Sequence, residues 1–193
     1  MATDAWRECV RRGPAYTQCV AFLALAHYWR RQYDSAAYWA DSAIALDPNY
    51  LLGRSTAGYI AIERGNTTRG AAEFDASRRV STGVEVVNAL GGRALVDARA
   101  NRRGDARTLL HRIDSLAVAY HPTPHHTAVY VAQVYVALGE FDNALRWLAR
   151  FETKGDLHYQ LHLRCDPPFD PIRNDRRFQA LLIVPAPPSG KGC

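Results

Sequence analysis

The sequence predicts an all-α protein, a right-handed superhelical solenoid of antiparallel helix pairs that ends in a capping segment. Three observations support this prediction. Small and apolar residues recur with a period of about 34 to 38 residues. Turn-forming residues fall at matching places in each period, and no stretch shows the two-residue alternation of a strand. Such a chain buries its apolar faces between neighbouring repeats rather than in one central core.

The first repeat covers residues 17–50 and contains two helical segments. Positions 8 and 20, counted from Thr17, are small because two antiparallel helices approach closely only where side chains are small. A proline at position 32 then closes the repeat. The regularly placed residues are Leu23, Ala24, His27, Tyr33, Ala36, Ala40, Ala43 and Pro48.

Three further repeats follow at residues 51–86, 87–124 and 125–155, with 34, 36 and 38 residues between successive starts. Their small residues at positions 8 and 20 are Gly58 and Gly70, Ala94 and Ala106, and Ala132 and Ala144. Turns between paired helices are predicted at Arg30-Arg31, Gly65-Asn66, Arg103-Gly104 and Gly139. On these residues, and above all on Leu-Gly-Glu-Phe-Asp-Asn-Ala at 138–144, the chain resembles the tetratricopeptide repeat over residues 17 to about 155. A generic helical bundle is the alternative.

The chain before the first repeat, residues 1–16, predicts a single helix. It runs from Asp4 to Arg12 and ends at Gly13-Pro14. This segment is either a half repeat, which would make the chain a fragment of a longer one, or a capping helix that covers the first repeat.

Residues 156–183 predict a C-terminal helix and capping motif. Leu157 to Arg164 form a helix, and prolines at 167, 168 and 171 then force a turn. A short final helix carries Phe178, Leu181 and Leu182, while Phe169, Ile172 and Phe178 plug the end of the array. We expect residues 184–193, rich in Pro, Gly and Ser, to form a disordered tail.

This terminal motif is similar to the segment that closes tetratricopeptide arrays in bacterial signalling proteins, where the array follows a serine/threonine kinase, adenylate cyclase or DNA-binding regulator domain. The resemblance implies a sensory, scaffold or protein-interaction module of a bacterial regulator. It also implies a partner-binding groove lined by the first helix of each repeat. The groove residues carried over by position are Gln18, Leu25, Tyr28, Trp29, Tyr59, Glu63, Asn88, Arg99, His126 and Gln133, and Tyr130 is included because it is adjacent to them.

The composition favours a soluble cytoplasmic protein. Hydrophobic residues make up 48% of the 193 residues and charged residues 22%, which excludes a disordered polyelectrolyte, a collagen and a disulfide-dense miniprotein. No apolar run reaches the roughly 18 residues of a membrane span, and no charged-then-apolar leader opens the chain. The four cysteines, Cys9, Cys19, Cys165 and Cys193, are widely spaced and are interpreted as incidental thiols, with Cys193 exposed in the tail.

The positive charge raises nucleic-acid binding as the alternative function. The net charge is +5, and Arg supplies 22 of the 24 basic residues. A nucleic-acid reader would need these charges on one continuous face with aromatic stacking partners, whereas several arginine pairs fall at helix ends, where cations are favoured. We therefore expect a protein or peptide partner rather than a nucleic acid. The pairs are Arg11-Arg12, Arg30-Arg31, Arg78-Arg79, Arg102-Arg103 and Arg176-Arg177.

Metal binding and catalysis find little support in the sequence. His158, His162 and Cys165 have the spacing of one helix face and form a weak candidate metal site without an obvious fourth ligand. A second histidine group at 121, 125 and 126 is interpreted as a loop cluster. No glycine-rich phosphate loop follows a strand, and no nucleophile motif is present, so we expect no enzyme activity and no cofactor.

Overall fold

The computed structural model describes residues 2–83, 85–119, 125–149, 157–184 and 193, but not the side chains of residues 2, 117–119, 125 and 126. Within these residues the chain is helical and contains no strand, which confirms the predicted all-α class. In chain order the helices are α1 (Ala2–Arg12), α2 (Thr17–Trp29), α3 (Tyr33–Leu46), α4 (Leu51–Glu63), α5 (Thr67–Val80), α6 (Glu85–Arg99), α7 (Arg103–Ala119), α8 (His125–Ala137), α9 (Phe141–Ala149), α10 (Leu157–Cys165), a 3₁₀-helix (Pro167–Ile172) and α11 (Arg176–Gln179).

The chain divides into two compact bodies, Met1–Ser81 and Thr82–Cys193. In the N-terminal body α2 packs against α3, α4 packs against α5, and α1 lies on α2. In the C-terminal body α6 pairs with α7 and α8 with α9, and α10 and the 3₁₀-helix pack on α8. The first helices of successive repeats also touch, α2 with α4 and α6 with α8. Among the described helices, none is both long and apolar enough to cross a membrane.

The turns between paired helices share one backbone geometry. Arg31, Gly65, Asn101 and Gly139 occupy the same place in their repeats, and each has a positive φ between 59° and 75°. The next N–H donates to a carbonyl oxygen five residues back, which is the Schellman closure of a helix. These bonds join Gln32 to His27, Asn66 to Ala61, Arg102 to Asp97 and Glu140 to Tyr135, at 2.8 to 3.0 Å.

The predicted position of the third turn is wrong by two residues. Arg103 and Gly104 open α7, and the turn residue with positive φ is Asn101. Asn tolerates the left-handed conformation better than other residues with a Cβ, so the turn does not need the glycine that was taken as its marker.

The turn at Arg31 provides a first test of this geometry. Arg31 holds a φ of 60°, which costs an L-residue with a long side chain about 1 kcal/mol. We expect Arg31→Gly to raise the free energy of unfolding by about 1 kcal/mol and Asn101→Gly by less, since Asn adopts this conformation more readily. Urea denaturation measures both, and a loss of stability in Arg31→Gly would contradict the turn assignment.

Small side chains lie where the paired helices meet, as the repeat pattern predicts. Ala24 and Ala36 of the first repeat are fully buried, and so are the equivalent alanines of the third and fourth repeats, Ala94, Ala106, Ala132 and Ala144. In the second repeat a Cβ added at Gly58 would lie 2.7 Å from a ring carbon of Phe74. A larger residue at this position would separate α4 from α5.

Helices α6 and α8 approach equally closely at Gly91, where a Cβ would lie 2.6 Å from the Cβ of Tyr130. In an open helix Gly→Ala stabilises by up to about 1 kcal/mol, but here the methyl group forces two backbones apart and we expect a loss of about 2 kcal/mol. The control is Gly104→Ala in α7, where a Cβ would meet nothing within 4 Å. In thermal unfolding, we expect the melting temperature to fall in Gly91→Ala and to rise in Gly104→Ala. A rise in Gly91→Ala would contradict the close crossing of α6 and α8.

At the N-terminus, α1 covers α2. Trp6 stacks on Phe22 with ring centroids 4.6 Å apart, and a disulfide joins Cys9 to Cys19. The helix predicted from Asp4 to Arg12 is therefore present, with its start at Ala2. Whether this segment is a half repeat or a cap stays open, and the repeat boundaries stay a prediction.

The C-terminal body closes on an apolar core formed by the predicted plug residues. Phe169, Ile172 and Phe178 are at most 2% exposed and pack with residues of α8, α9 and α10. The proline-rich turn is a 3₁₀-helix. Pro167 and Pro168 lie in its first turn, where an N–H would have no partner within the helix, and Pro171 lies inside it. Leu181 and Leu182 were predicted within the last helix, but α11 ends at Gln179 and both leucines lie beyond it, half-buried against the same core.

Arg173 holds this terminal motif together from inside. Its side chain is completely buried, and its guanidinium donates to the carboxylate of Asp170 and to the carbonyl oxygens of Arg164 and Asp166, the last at 2.7 Å. The carbonyl of Arg164 belongs to the last turn of α10, and that of Asp166 follows it directly. A planar group with five N–H donors can satisfy both of them and the carboxylate at once.

Candidate functional site

The candidate groove residues lie on the first helices of the repeats, as the resemblance implied. Residues at positions 2, 9, 12 and 13 of α2 and α4 are in the N-terminal body, and their equivalents on α6 and α8 are in the C-terminal body. The two sets belong to separate bodies, and each is therefore considered by itself. The predicted groove residues then fall into three classes: buried side chains, accessible side chains, and one side chain that lies outside the described residues.

Three predicted groove residues of the N-terminal body are buried. Leu25, Tyr28 and Tyr59 are between 2% and 9% exposed. The ring centroid of Tyr28 lies 6.2 Å from that of Tyr33 and 6.0 Å from that of Tyr59, and Tyr59 meets the edge of Phe74 at 5.3 Å. These aromatic side chains form a column inside the body, so Leu25, Tyr28 and Tyr59 cannot serve as anchors that a partner reaches from solvent.

Gln18, Trp29 and Glu63 remain accessible in the same body. Gln18 is exposed near the start of α2, while Trp29 and Glu63 are half-buried at the ends of α2 and α4. Trp29 and Glu63 occupy the same place in successive repeats. They provide one aromatic face and one carboxylate, a pair suited to an apolar side chain and a donor group of a peptide.

In the C-terminal body the accessible residues are Asn88, Arg99 and Tyr130. Arg99 is exposed at the end of α6, and Asn88 is half-buried, with its amide donating to Glu85 at 2.9 Å. Tyr130 is half-buried, and its Cβ lies against Gly91. His126 lies in α8, but its side chain falls outside the described residues, as does His121 with its whole backbone.

Gln133, predicted to face the groove, is instead part of a buried polar network. It is 1% exposed, and its amide donates to Oδ2 of Asp166 at 2.8 Å. Nδ1 of His162 lies 2.9 Å from the same oxygen. Asp166 therefore ties α8 to α10, and Gln133 stabilises this junction rather than reaching a partner.

The candidate metal site is not assembled. The rings of His158 and His162 lie 4.8 Å apart, but the sulfur of Cys165 is bonded to Cys193 and cannot act as a thiolate ligand. In the described part of the chain, His, Cys, Asp and Glu side chains form no group of three or more that could hold a metal ion.

The cysteines were wrongly interpreted as incidental free thiols. Cys9 pairs with Cys19 across a Cα–Cα distance of 5.9 Å, and Cys165 pairs with Cys193 across 5.6 Å. The sequence alone could not reveal this, because four cysteines allow three full pairings and their spacing selects none. The contact of α1 with α2 brings the first pair together.

Many of the arginines serve internal ion pairs. Asp97, only 2% exposed, accepts from Arg93 and Arg102 at the turn before α7. Other pairs join a helix to a neighbouring helix or turn: Arg64 with Asp34, Arg69 with Asp41, Arg54 with Glu73, Arg107 with Glu140, and Arg177 with Asp142.

Glu140 shows the effect of such pairing on a carboxyl group. Burial alone would raise its pKa, but hydrogen bonds from Arg107 and Asn143 and the positive charges of Arg107 and Arg103 together lower it. Arg107 lies 2.5 Å from the carboxylate, and Arg103 also donates to the carbonyl oxygen of Leu138 at 2.9 Å. This cluster joins α7 to the turn before α9, so its charges hold the body together.

The comparisons with known proteins agree with this helical architecture. No protein-family model matches the chain, and no curated protein matches it in sequence. Among solved structures the chain is similar to YrrB, described as a tetratricopeptide repeat protein with an unusual peptide-binding site. The match has a TM-score of 0.53 and 14% identity, and it covers 93% of this chain and 90% of that one. The chain therefore has a tetratricopeptide-like fold.

Proposed function

We propose that this chain is a non-catalytic protein–protein interaction module that binds a peptide or a partner domain on the first helices of its repeats. The observation that carries the proposal is the placement of Trp29 and Glu63 at equivalent ends of the contacting helices α2 and α4, with Gln18 exposed on α2. A partner lying across two parallel first helices meets both residues, and half-buried aromatic side chains are typical anchors of such contacts.

The peptide-binding site in the description of YrrB belongs to that protein. At 14% identity the similarity supports the fold, and peptide binding by this chain is inferred from its own residues. A sensory or scaffold role in a bacterial regulatory protein is part of the proposal, and it is supported by the resemblance of the terminal motif to signalling arrays.

Three of the five arginine pairs contain an arginine that is bound to a carboxylate of this chain, which favours a protein partner over a nucleic acid. Arg11 and Arg12 both bind Glu8, Arg102 binds Asp97, and Arg177 is held between Asp142 and Asp175. An arginine neutralised by its own carboxylate has little charge left for a phosphate backbone. We therefore do not propose the nucleic-acid function that the net charge suggested.

Shifted carboxyl groups also favour a non-catalytic role. Hydrogen bonds from Arg11 lower the pKa of Glu8, and those from Arg177 lower the pKa of Asp175. Both carboxylates lie in surface ion pairs rather than in a cleft, whereas catalytic groups with perturbed pKa values gather in clefts. We propose accordingly that the chain acts without a cofactor.

The cytoplasmic location predicted from the sequence stays a prediction, and the two disulfides bear against it. Glutathione and thioredoxin keep most thiols of cytosolic proteins reduced, whereas disulfides persist in oxidising compartments. Alkylation of free thiols in intact cells, followed by mass spectrometry of the four cysteines, would distinguish reduced cysteines, as in the cytosol, from paired cysteines, as in an oxidising compartment.

A selection experiment tests the proposed function. Peptides of 12 residues, selected from a random library on the wild-type protein, should bind Trp29→Ala about tenfold more weakly, because an aromatic anchor is lost. The matched control is Tyr38→Ala on α3, where an aromatic side chain is 65% exposed on the second helix of the pair. Circular dichroism confirms that both variants stay folded.

Equal weakening by the two variants, or no weakening by Trp29→Ala, would contradict the proposed surface. A library that yields no binder on the wild-type protein would contradict peptide binding itself and leave the helical fold unaffected.

A further inference from the structure

An exposed aliphatic patch at the C-terminal end of the chain is the feature that the proposed function does not use. Leu157 and Leu161 lie four residues apart on one face of α10 and are 75% and 40% exposed. Ile183 and Val184, just beyond α11, are each 51% exposed. These four side chains, with Gln160 and Arg164, line a cavity of about 250 Å³, which we call the terminal patch.

The terminal patch is a built surface rather than a group of loose ends. The side-chain amide of Gln160 donates to the carbonyl oxygen of Leu181 at 3.0 Å, and its oxygen accepts from the N–H of Ile183 at 2.9 Å. These two bonds fix the segment after α11 against α10. The opposite face of α10 is anchored by Tyr159 and Leu163, both fully buried.

The capping segment at the end of a repeat array normally turns a polar face to solvent, because an apolar end exposes the array to association. Here the outer face of α10 carries leucines instead. A group of exposed aliphatic side chains around a cavity marks an interaction site. The end of this array therefore has the properties of a surface that another segment covers.

The charge beside the cavity indicates which kind of segment would cover the terminal patch. Arg164 lines the cavity. Its Nε is buried and has no hydrogen-bond partner, and its guanidinium forms no ion pair with any of the described residues. A two-fold contact between two copies of the patch would bring two Arg164 side chains together, which disfavours self-association. The chain's own segment at 185–192 has the sequence Pro-Ala-Pro-Pro-Ser-Gly-Lys-Gly. It contains neither an acidic residue to pair with Arg164 nor a large apolar one to fill the cavity, which disfavours it as the occupant.

We propose that the terminal patch is a second docking site, which binds an amphipathic helix with leucine-like side chains and an acidic residue that pairs with Arg164. The aliphatic side chains of the partner fill the cavity between α10 and the segment at 183–184. This site is independent of the first-helix surface and does not rest on the proposed function.

Binding of two designed peptides tests the proposal. Both carry Leu at helical spacing, one with Glu and the other with Lys on the flanking positions. We expect the Glu peptide to bind the full chain about fivefold more tightly than the Lys peptide, and Arg164→Gln to remove this preference. Leu161→Ser should weaken both peptides about tenfold, while the control Leu46→Ser, at a leucine 44% exposed on α3, should change neither.

Four results would overturn the proposal. The first is equal binding of the two peptides to the wild-type chain. The second is a dimer in sedimentation equilibrium that Leu161→Ser dissolves, which would make a second copy the occupant. The third is binding only after Phe151→Ala, which would assign the patch to the chain's own residues 150–156. Loss of binding in Trp29→Ala but not in Leu161→Ser would place the peptides on the first-helix surface instead.

Discussion

Arg173→Ala should lower the free energy of unfolding by about 3 to 5 kcal/mol, the largest loss expected from a single substitution in this chain. The guanidinium is fully buried, and its removal takes one donor away from the carboxylate of Asp170 and from each of the carbonyl oxygens of Arg164 and Asp166. The truncation also leaves a cavity at a fully buried position, next to a core in which the rings of Phe169 and Phe178 lie 5.4 Å apart. Guanidinium chloride denaturation measures the effect.

Two control variants separate the role of the buried guanidinium from that of positive charge. Arg173→Lys keeps the charge but loses the planar set of donors, so it should remain clearly destabilised. Arg176→Ala removes an exposed arginine from the same segment and should change the free energy of unfolding by less than about 0.5 kcal/mol. Similar losses in Arg173→Ala and Arg176→Ala would show that the buried contacts contribute nothing.

Removing the disulfide between Cys165 and Cys193 should lower the free energy of unfolding by about 3 to 4 kcal/mol, because the bond closes a loop of 28 residues and restricts the unfolded chain. Cys9 and Cys19 are separated by only 10 residues, so the double serine variant of that pair should lose less, about 3 kcal/mol or below. Chemical denaturation of the two double serine variants and the wild type gives both values.

Thiol titration of the denatured, unreduced wild-type protein provides the control for this comparison. It should find no reactive thiol before reduction and four thiols after it. Four reactive thiols before reduction, or an unchanged denaturation midpoint in the presence of dithiothreitol, would contradict the pairing.

The repeat pattern predicted the paired helices well because the pattern and the packing have the same cause. Alanines at positions 8 and 20 recur in the sequence because helices meet there, and they are buried in the structure for that reason. The turns were predicted from glycines and arginines. This placed three of them correctly and missed Asn101, since asparagine also adopts a positive φ.

The groove was predicted less well, because position in a repeat does not reveal which neighbours cover a side chain. From Cys19 to Tyr28 every residue of α2 except Phe22 is buried. A helix that is apolar on all sides is covered on all sides, and this signal was present in Val-Ala-Phe-Leu-Ala-Leu-Ala at 20–26. Arg173 gave no such signal, because a buried arginine and an exposed one look alike in sequence.

Chemical-shift mapping of a bound peptide tests the central claim, that first helices bind the partner, most directly. A peptide selected on the wild-type protein is titrated into ¹⁵N-labelled chain, and amide shifts are assigned to helices. We predict that the largest shifts lie in α2 and α4, with those around Trp29 and Glu63 foremost, and that α3 and α5 change little. Largest shifts in the second helices α3, α5, α7 or α9 would contradict the account.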